Sequence, residues 1–77
     1  MLIRMGSTGP TVRDLQEMLN VAVPLQPLLI LDGIFGPKTG QRVVTFQNQA
    51  KLIADGVVGP MTSKALVGAV IKAVKFS

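Results

Sequence analysis

The chain has 77 residues and a net charge of +4, and 48% of its residues are hydrophobic, so it holds one domain at most and can fill one small core. It has no cysteine and no histidine, which excludes disulfides, thiolate zinc sites and catalysis by either side chain. No apolar run reaches the roughly 18 residues of a membrane span, and no signal peptide is visible. The positive charges form no basic stripe, so we do not expect nucleic acid as a partner.

A five-residue pattern, GxxGP, divides the chain. It occurs at residues 6–10, 33–37 and 56–60, and the second and third copies are each preceded by an aspartate, Asp32 and Asp55. Proline fits the first position of a helix, and glycine suits a tight turn before it. Each copy therefore predicts a sharp turn that leads into a helix. We expect Gly36 and Gly59 in these turns to tolerate a β-branched residue poorly.

Apolar residues with helical spacing follow each turn. After the first turn the stripe includes Val12, Leu15 and Leu19, and after the second it includes Val43 and Phe46. A broader stripe runs through residues 65–74. The spacing predicts three helices, at about residues 10–22, 37–50 and 60–75.

The segment from Val21 to Leu31 differs from the rest. Pro24 and Pro27 cannot lie inside a helix, so the segment is a connection between the first two helices. Its apolar run, residues 28–31, is either a short strand or a hydrophobic loop that covers the core. A ligand-binding surface is the less favoured alternative.

The motifs, taken in order, resemble those of the type 1 peptidoglycan-binding domain, which carries LQ, DGxFGPxT, VxxFQ and DGxxGPxTxxAL. The matching residues are Leu15-Gln16, 32–39 (DGIFGPKT), 43–47 (VVTFQ), 55–62 (DGVVGPMT) and Ala65-Leu66. The resemblance runs from about Gly6 to Leu66. Two departures are residues 21–24, where the family often has glycine and an aromatic, and Arg42, where it often has a small residue.

This resemblance implies an all-α fold, a small closed bundle of three helices with tight DGxxGP turns at the helix starts. It implies one domain over residues 1–77, with its core at about 6–75. Members of the family bind peptidoglycan without cutting it and accompany an amidase, transglycosylase, peptidase or phage endolysin. We accordingly expect a monomer without cofactor or metal, in the cell envelope, outside the cell or in a phage particle. The alternative function is a protein-protein adaptor in a secretion system or phage particle.

The predicted ligand site surrounds the second turn and the start of the second helix. It comprises Asp32, Gly33, Ile34, Phe35, Arg42 and Gln47. Arg42 suits a carboxylate because guanidinium pairs with it through two hydrogen bonds, although a solvated Arg42 is an equal alternative.

Several of these residues also have structural interpretations. Asp32 and Asp55 are either paired acids for sugar hydrolysis or, as we favour, caps of two equivalent turns. Phe35 either stacks on a sugar or belongs to the core, and Gln47 bonds either a loop or a stem peptide. The structural alternative is favoured for both. Gly40, a glycine within the predicted second helix, indicates close approach of either a neighbouring element or a ligand.

Overall fold

The computed structural model describes residues 2–75, with no description of the Lys75 side chain. Three α-helices follow one another: α1 (Pro10–Ala22), α2 (Pro37–Gln49) and α3 (Pro60–Lys75). The predicted all-α bundle is confirmed, and each helix begins at the proline of a GxxGP pattern. α2 ends one residue before the predicted position because Lys51, at φ 59°, leaves the helical conformation.

The core is a single cluster in which α1 packs against both other helices. Residues of each apolar stripe enter the core, and Phe46 is buried as predicted. The stripe predicted over residues 65–74 is wrong at its end, because Ala73 and Val74 are exposed. The buried hydrophobic residues are Val12, Leu15, Leu19, Val23, Leu29, Phe35, Val43, Phe46, Val58 and Leu66. Among residues 2–75, no helix is long and apolar enough to cross a membrane.

The N-terminal segment joins the second and third turns through backbone hydrogen bonds. Ile3 and Val58 exchange two bonds, at 3.1 and 2.8 Å between N and O. The Phe35 N–H donates to Ser7 O at 3.0 Å, and the Phe35 carbonyl accepts from the N–H of Gly6 at 3.0 Å. The two isolated bridges here pair Ile3 with Val58 and Thr8 with Ile34, and the described residues form no strand.

The connection between α1 and α2 is an irregular loop whose apolar side chains are divided between core and surface. Val23 and Leu29 are buried, whereas Leu25, Leu28 and Ile30 are 50%, 46% and 74% exposed. The strand alternative is therefore wrong. Only Val23 and Leu29 of this loop enter the core; Leu31 is half-buried, and the other three apolar side chains lie at the surface.

Two side chains from neighbouring helices hold this loop. The Asn20 amide donates to Leu29 O at 3.0 Å and accepts from Leu29 N at 2.8 Å. The Arg42 guanidinium donates to Val23 O at 3.1 Å and to Pro27 O at 2.9 Å. The Gln26–Pro27 peptide bond is cis.

The expectation for Gly36 is wrong, because the conformations that require glycine occur elsewhere in the turns. Gly36 has φ −105° and ψ −167°, an extended conformation open to any residue, and an added Cβ would meet no atom within 4 Å. Gly33 and Gly56 instead have φ 72° and 74°, the left-handed region that favours glycine. At Gly59 the nearest obstacle to a Cβ is the end of the flexible Leu2 side chain, at 3.3 Å.

Candidate functional site

A buried glutamine on α1 holds the second turn. The Nε2 of Gln16 lies 3.0 Å from Asp32 Oδ1, 3.0 Å from Ile34 O and 3.1 Å from Thr39 Oγ1. Its Oε1 accepts from the N–H of Gly33 at 3.0 Å. We call this arrangement the α1 clamp. It joins one helix to the turn and first residues of the next.

A second glutamine, on α2, repeats the arrangement. The Nε2 of Gln47 lies 3.0 Å from Asp55 Oδ1, 3.0 Å from Val57 O and 3.1 Å from Thr62 Oγ1. Its Oε1 accepts from Gly56 N at 2.9 Å. We call this the α2 clamp. It forms the same bonds to the turn before α3 that the α1 clamp forms to the turn before α2.

Each aspartate is held within its own turn. The N–H of Ile34 lowers the pKa of Asp32, and the Gln16 amide lowers it further. The N–H of Val57 and then the Gln47 amide lower the pKa of Asp55 in the same way. Hydrogen bonds to the charged form favour it, so both carboxylates are caps of equivalent turns, as favoured from the sequence.

The loop between α1 and α2 forms a groove with α2 and the second turn. The groove has a volume of about 740 Å³. We call it the loop groove. Its lining is Gln16, 25–30, Asp32, Ile34, 36–39, Gln41, Arg42 and Thr45. Apolar side chains of the loop thus lie near the cationic groups of Lys38 and Arg42.

A second groove lies beside another face of α2. It has a volume of about 700 Å³, and we call it the turn groove. Its lining is Arg4, Met5, Phe35, Pro37, Gly40, Gln41, Val44, Thr45 and 55–57. Pro37, Gln41 and Thr45 line both grooves. They recur every four residues on one helical stripe, so this stripe of α2 separates the two grooves.

The predicted site residues divide into two groups. Asp32, Ile34 and Arg42 line the loop groove, and Ile34 is 56% exposed. Gly33, Phe35 and Gln47 are buried. Phe35 lies beside the turn groove and Gln47 belongs to the α2 clamp, so the six residues do not surround a single cavity.

Comparison with known proteins assigns the family. A model described as "Putative peptidoglycan binding domain" matches residues 8–66 of the chain. The chain belongs to this family. No curated protein sequence matches it significantly.

Three solved structures resemble this peptidoglycan-binding domain. The SleB N-terminal domain is 31% identical with a TM-score of 0.83, and the match covers 91% of this chain and 93% of that one. The fused zinc-dependent amidase/peptidase/peptidoglycan-binding domain-containing protein of Clostridium acetobutylicum ATCC 824 is 32% identical with a TM-score of 0.78, over 86% of this chain and 28% of that one. A peptidoglycan-binding protein of Clostridioides difficile, in complex with glutamine hydroxamate, is 39% identical with a TM-score of 0.72, over 86% and 40%.

The family is one of binding domains, so the chain is a binding module and not a catalytic domain. Within residues 2–75, no group of three acidic side chains is placed to hold a metal ion. The sequence interpretation did not identify Arg4, Met5 or Thr45 as groove residues. Arg4 and Met5 precede the first pattern, and only the backbone pairing of residues 3–9 with the later turns brings them to α2.

Proposed function

We propose that this domain binds bacterial peptidoglycan without cutting it, and that the loop groove holds the stem peptide. The observation that carries the proposal is the position of Arg42. Two backbone carbonyls, Val23 O and Pro27 O, hold its guanidinium at a groove that Lys38 also lines. A cation fixed in this way loses little further freedom when it meets a carboxylate.

The rest of the loop groove suits a peptide with small apolar side chains and a terminal carboxylate. Leu25, Leu28 and Ile30 offer exposed apolar surface, and Asp32 offers a carboxylate for a ligand amide. Of the predicted site residues, Asp32, Ile34 and Arg42 contact the ligand in this proposal. The other three, Gly33, Phe35 and Gln47, act by holding the turns that line the grooves.

The domain would serve as a targeting unit for a wall-active enzyme. The C. acetobutylicum relative carries an amidase/peptidase in the same chain, of which this chain covers 28%. An attached or associated enzyme would be kept on its insoluble substrate, and weak binding at single sites would add up through repeated contacts. Its place of action is the cell wall or the extracellular space, and we propose that the domain acts as a monomer.

Co-sedimentation with purified, protein-free sacculi tests the proposal. The folded chain is expected in the pellet at low and moderate salt. Arg42→Gln should weaken retention by about tenfold, the loss of one charge-assisted contact. Arg13→Gln is the matched control, because Arg13 is exposed on α1, lines neither groove and carries the same charge.

The outcomes of this experiment distinguish peptidoglycan binding from the adaptor alternative. If the wild-type chain stays in the supernatant, peptidoglycan binding is wrong and the adaptor alternative gains support. If both variants weaken retention equally, net charge rather than Arg42 governs binding. Circular dichroism must show that Arg42→Gln remains folded, since this residue also holds the loop.

A further inference from the structure

The two clamped aspartates, Asp32 and Asp55, are each followed by glycine, and this dipeptide has a reactivity of its own. The backbone nitrogen of the glycine can attack the aspartate Cγ, because glycine has no side chain to hinder the approach. A Cγ–N bond forms, the nitrogen loses its proton, and a carboxyl oxygen leaves as water, which gives a cyclic succinimide. Water that then breaks the bond between this nitrogen and the backbone carbonyl carbon gives isoaspartate, in which the main chain runs through Cγ.

In the folded chain a clamp glutamine occupies both reacting groups of each pair. At the third turn, the Gly56 N–H donates to Gln47 Oε1 at 2.9 Å, and Gln47 Nε2 lies 3.0 Å from Asp55 Oδ1. The nitrogen must lose its proton to attack. A hydrogen bond from this N–H to a neutral amide oxygen favours the protonated, unreactive form. The α1 clamp makes the same bonds to the pair at the second turn.

The aspartate carboxyl is also held in its less reactive form. Its oxygen leaves as water only from the protonated carboxyl, so the ionised group reacts poorly. The N–H of Val57 and then the Gln47 amide lower the pKa of Asp55, and the equivalent bonds lower the pKa of Asp32. The folded chain therefore contains less of the protonated carboxyl than the unfolded chain at the same pH.

The two pairs differ in how firmly the glycine is held. Gly33 is buried, and its carbonyl also accepts from Gly9 N at 2.9 Å. Gly56 is only half-buried. Gln47 lies two residues before the end of α2, whereas α1 continues for six residues past Gln16. Because helix ends fray more readily than helix interiors, the α2 clamp should open more often than the α1 clamp.

We propose that Asp55–Gly56 is a site of isoaspartate formation, and that the closed clamps protect both Asp–Gly pairs from this modification. The reaction needs only water, to which Asp55 is exposed. Isoaspartate adds a methylene to the main chain and removes one from the carboxyl side chain, so the carboxylate can no longer meet Gln47 in the same way. Residues 55–57 also line the turn groove, so the modification alters a groove as well as a clamp. The inference does not depend on what either groove binds.

Prolonged incubation of the wild-type chain at neutral pH tests the proposal. Isoaspartate is detected by methyl transfer from labelled S-adenosylmethionine, catalysed by an isoaspartyl methyltransferase. Trypsin separates the two sites, because it cleaves at Lys38, Arg42 and Lys51 between them. In guanidinium chloride both pairs should react at similar rates. In the folded chain each should react at least about tenfold more slowly, since buried hydrogen bonds must open first, and Asp55 should react before Asp32.

Gln47→Met and its matched counterpart Gln16→Met test whether the clamps supply the protection. Gln47→Met should raise the rate at Asp55 by about tenfold and leave the rate at Asp32 within about twofold, and Gln16→Met should do the reverse. Asn20→Ala is the control for stability, because it removes two bonds to the loop backbone without touching either pair. It should change neither rate. Circular dichroism shows whether each variant is folded, and the wild-type comparison decides for any variant that is not.

Three results would overturn the inference: equal rates in the folded and unfolded wild-type chain, faster modification of Asp32 than of Asp55 in the folded chain, or equal acceleration at both sites in folded Gln47→Met. The last result would mean that global unfolding, and not the α2 clamp, controls the reaction. None of them bears on peptidoglycan binding, which sedimentation with sacculi tests separately.

Discussion

The two DGxxGP turns are held by the same hydrogen bonds, but the connections that lead to them differ in length. Gln16 reaches an aspartate 16 residues ahead, whereas Gln47 reaches one only 8 residues ahead. α1 continues for six residues past Gln16, whereas α2 continues for two residues past Gln47. About one helical turn therefore accounts for part of the difference in sequence separation. The clamp geometry thus does not depend on how the chain arrives at the turn.

This difference separates what holds the fold from what shapes a surface. A clamp needs only a glutamine, an aspartate, a glycine and a threonine at fixed positions relative to two helices. The longer connection, between α1 and α2, leads to a turn held by the same clamp bonds. Its additional residues line the loop groove. The shorter connection adds its turn directly to the turn groove.

The largest expected effect comes from removing a clamp. Gln16→Met and Gln47→Met keep the approximate volume but remove every bond of the amide. The glycine N–H, the turn carbonyl and the threonine hydroxyl lose that partner, while the aspartate Oδ1 keeps its bond from the N–H of Ile34 or Val57. At about 1–3 kcal/mol for each buried unsatisfied group, we expect each variant to lose at least about 3 kcal/mol of unfolding free energy. Urea unfolding followed by circular dichroism measures both losses.

The difference between the two losses tests whether the clamps are equivalent. Because the bond lengths and the burial of the two glutamines match, the two losses of unfolding free energy should agree within about 1 kcal/mol, despite the different lengths of the connections. Thr11→Ala, at an exposed position of α1, is the control and should have little effect. A large loss for one glutamine and none for the other would show that the equivalence of the clamps is only geometric.

The second prediction uses glycines that share a conformation but differ in surroundings. Gly33 and Gly56 have φ 72° and 74°, so alanine at either site costs about 1–2 kcal/mol. An added Cβ at Gly33 would also lie 3.0 Å from Gly9 O, against 3.6 Å from Val44 Cγ2 at Gly56. Gly33→Ala should therefore be the more damaging, with a total loss of about 2–3 kcal/mol.

Gly36→Ala is the control for both, because its backbone is extended and its surroundings are open. Thermal melts should rank the losses as Gly33, then Gly56, then Gly36. A larger loss for Gly36→Ala than for Gly56→Ala would contradict the assignment of strain to the first glycine of the second and third patterns.

The sequence predicted the helices well because their signals are local. Each helix begins at a proline that follows glycine, and the apolar spacing reports which face is buried. Gln47 was favoured as structural, and its buried hydrogen bonds agree with that interpretation. Gln16, which the sequence marked as part of a motif, makes the equivalent buried bonds in the first clamp.

The grooves were less predictable because they depend on contacts between distant residues. Arg4 and Asp55 line one groove only because the N-terminal segment pairs with both later turns. Phe35 and Gln47 were grouped with Arg42 by closeness in sequence, but both are buried away from the loop groove. Phe35 lies beside the turn groove, and Gln47 belongs to the α2 clamp. The turn pattern indicated that each turn requires glycine. The φ angles show that Gly33 and Gly56 are the glycines in the left-handed conformation in the second and third turns.

The third prediction acts on the longer connection alone. Asn20→Ala removes two hydrogen bonds to the backbone of Leu29, for an expected loss of about 1–2 kcal/mol. The position four residues after the other clamp glutamine is Lys51, where α2 has already ended, so the shorter connection has no equivalent contact. Hydrogen exchange should show faster opening at residue 29, with the amides of Gly33 and Gly56 unchanged. Equal acceleration at Gly33 would mean that the loop and the α1 clamp open together.

The smallest expected effect is the pH dependence of the unfolding free energy, to which we expect the two turns to contribute equally. Hydrogen bonds from Ile34 and Gln16 lower the pKa of Asp32 in the folded state, and those from Val57 and Gln47 lower that of Asp55. A carboxyl whose folded pKa lies below its unfolded value stabilises the fold at higher pH. That contribution is fully present above about pH 4 and is lost as the pH falls through the lowered folded pKa. Unfolding free energy should therefore decrease on acidification from about pH 4, with similar shares from the two turns.

Asparagine substitutions isolate this effect. Asp32→Asn and Asp55→Asn keep an oxygen that can accept the same hydrogen bonds but remove the titrating group. Each single variant should remove about half of the acid-dependent decrease, and the double variant should remove nearly all of it. Asp14→Asn is the control, because it makes the same charge change outside either turn.

Urea titrations at pH 7, 4 and 2.5 measure how the unfolding free energy changes with pH. Because both carboxylates are exposed to water, the total change should be small beside the loss from either glutamine variant. A stability that rises on acidification, or a decrease abolished by one single variant alone, would show that the two turns are not electrostatically equivalent although their hydrogen bonds are.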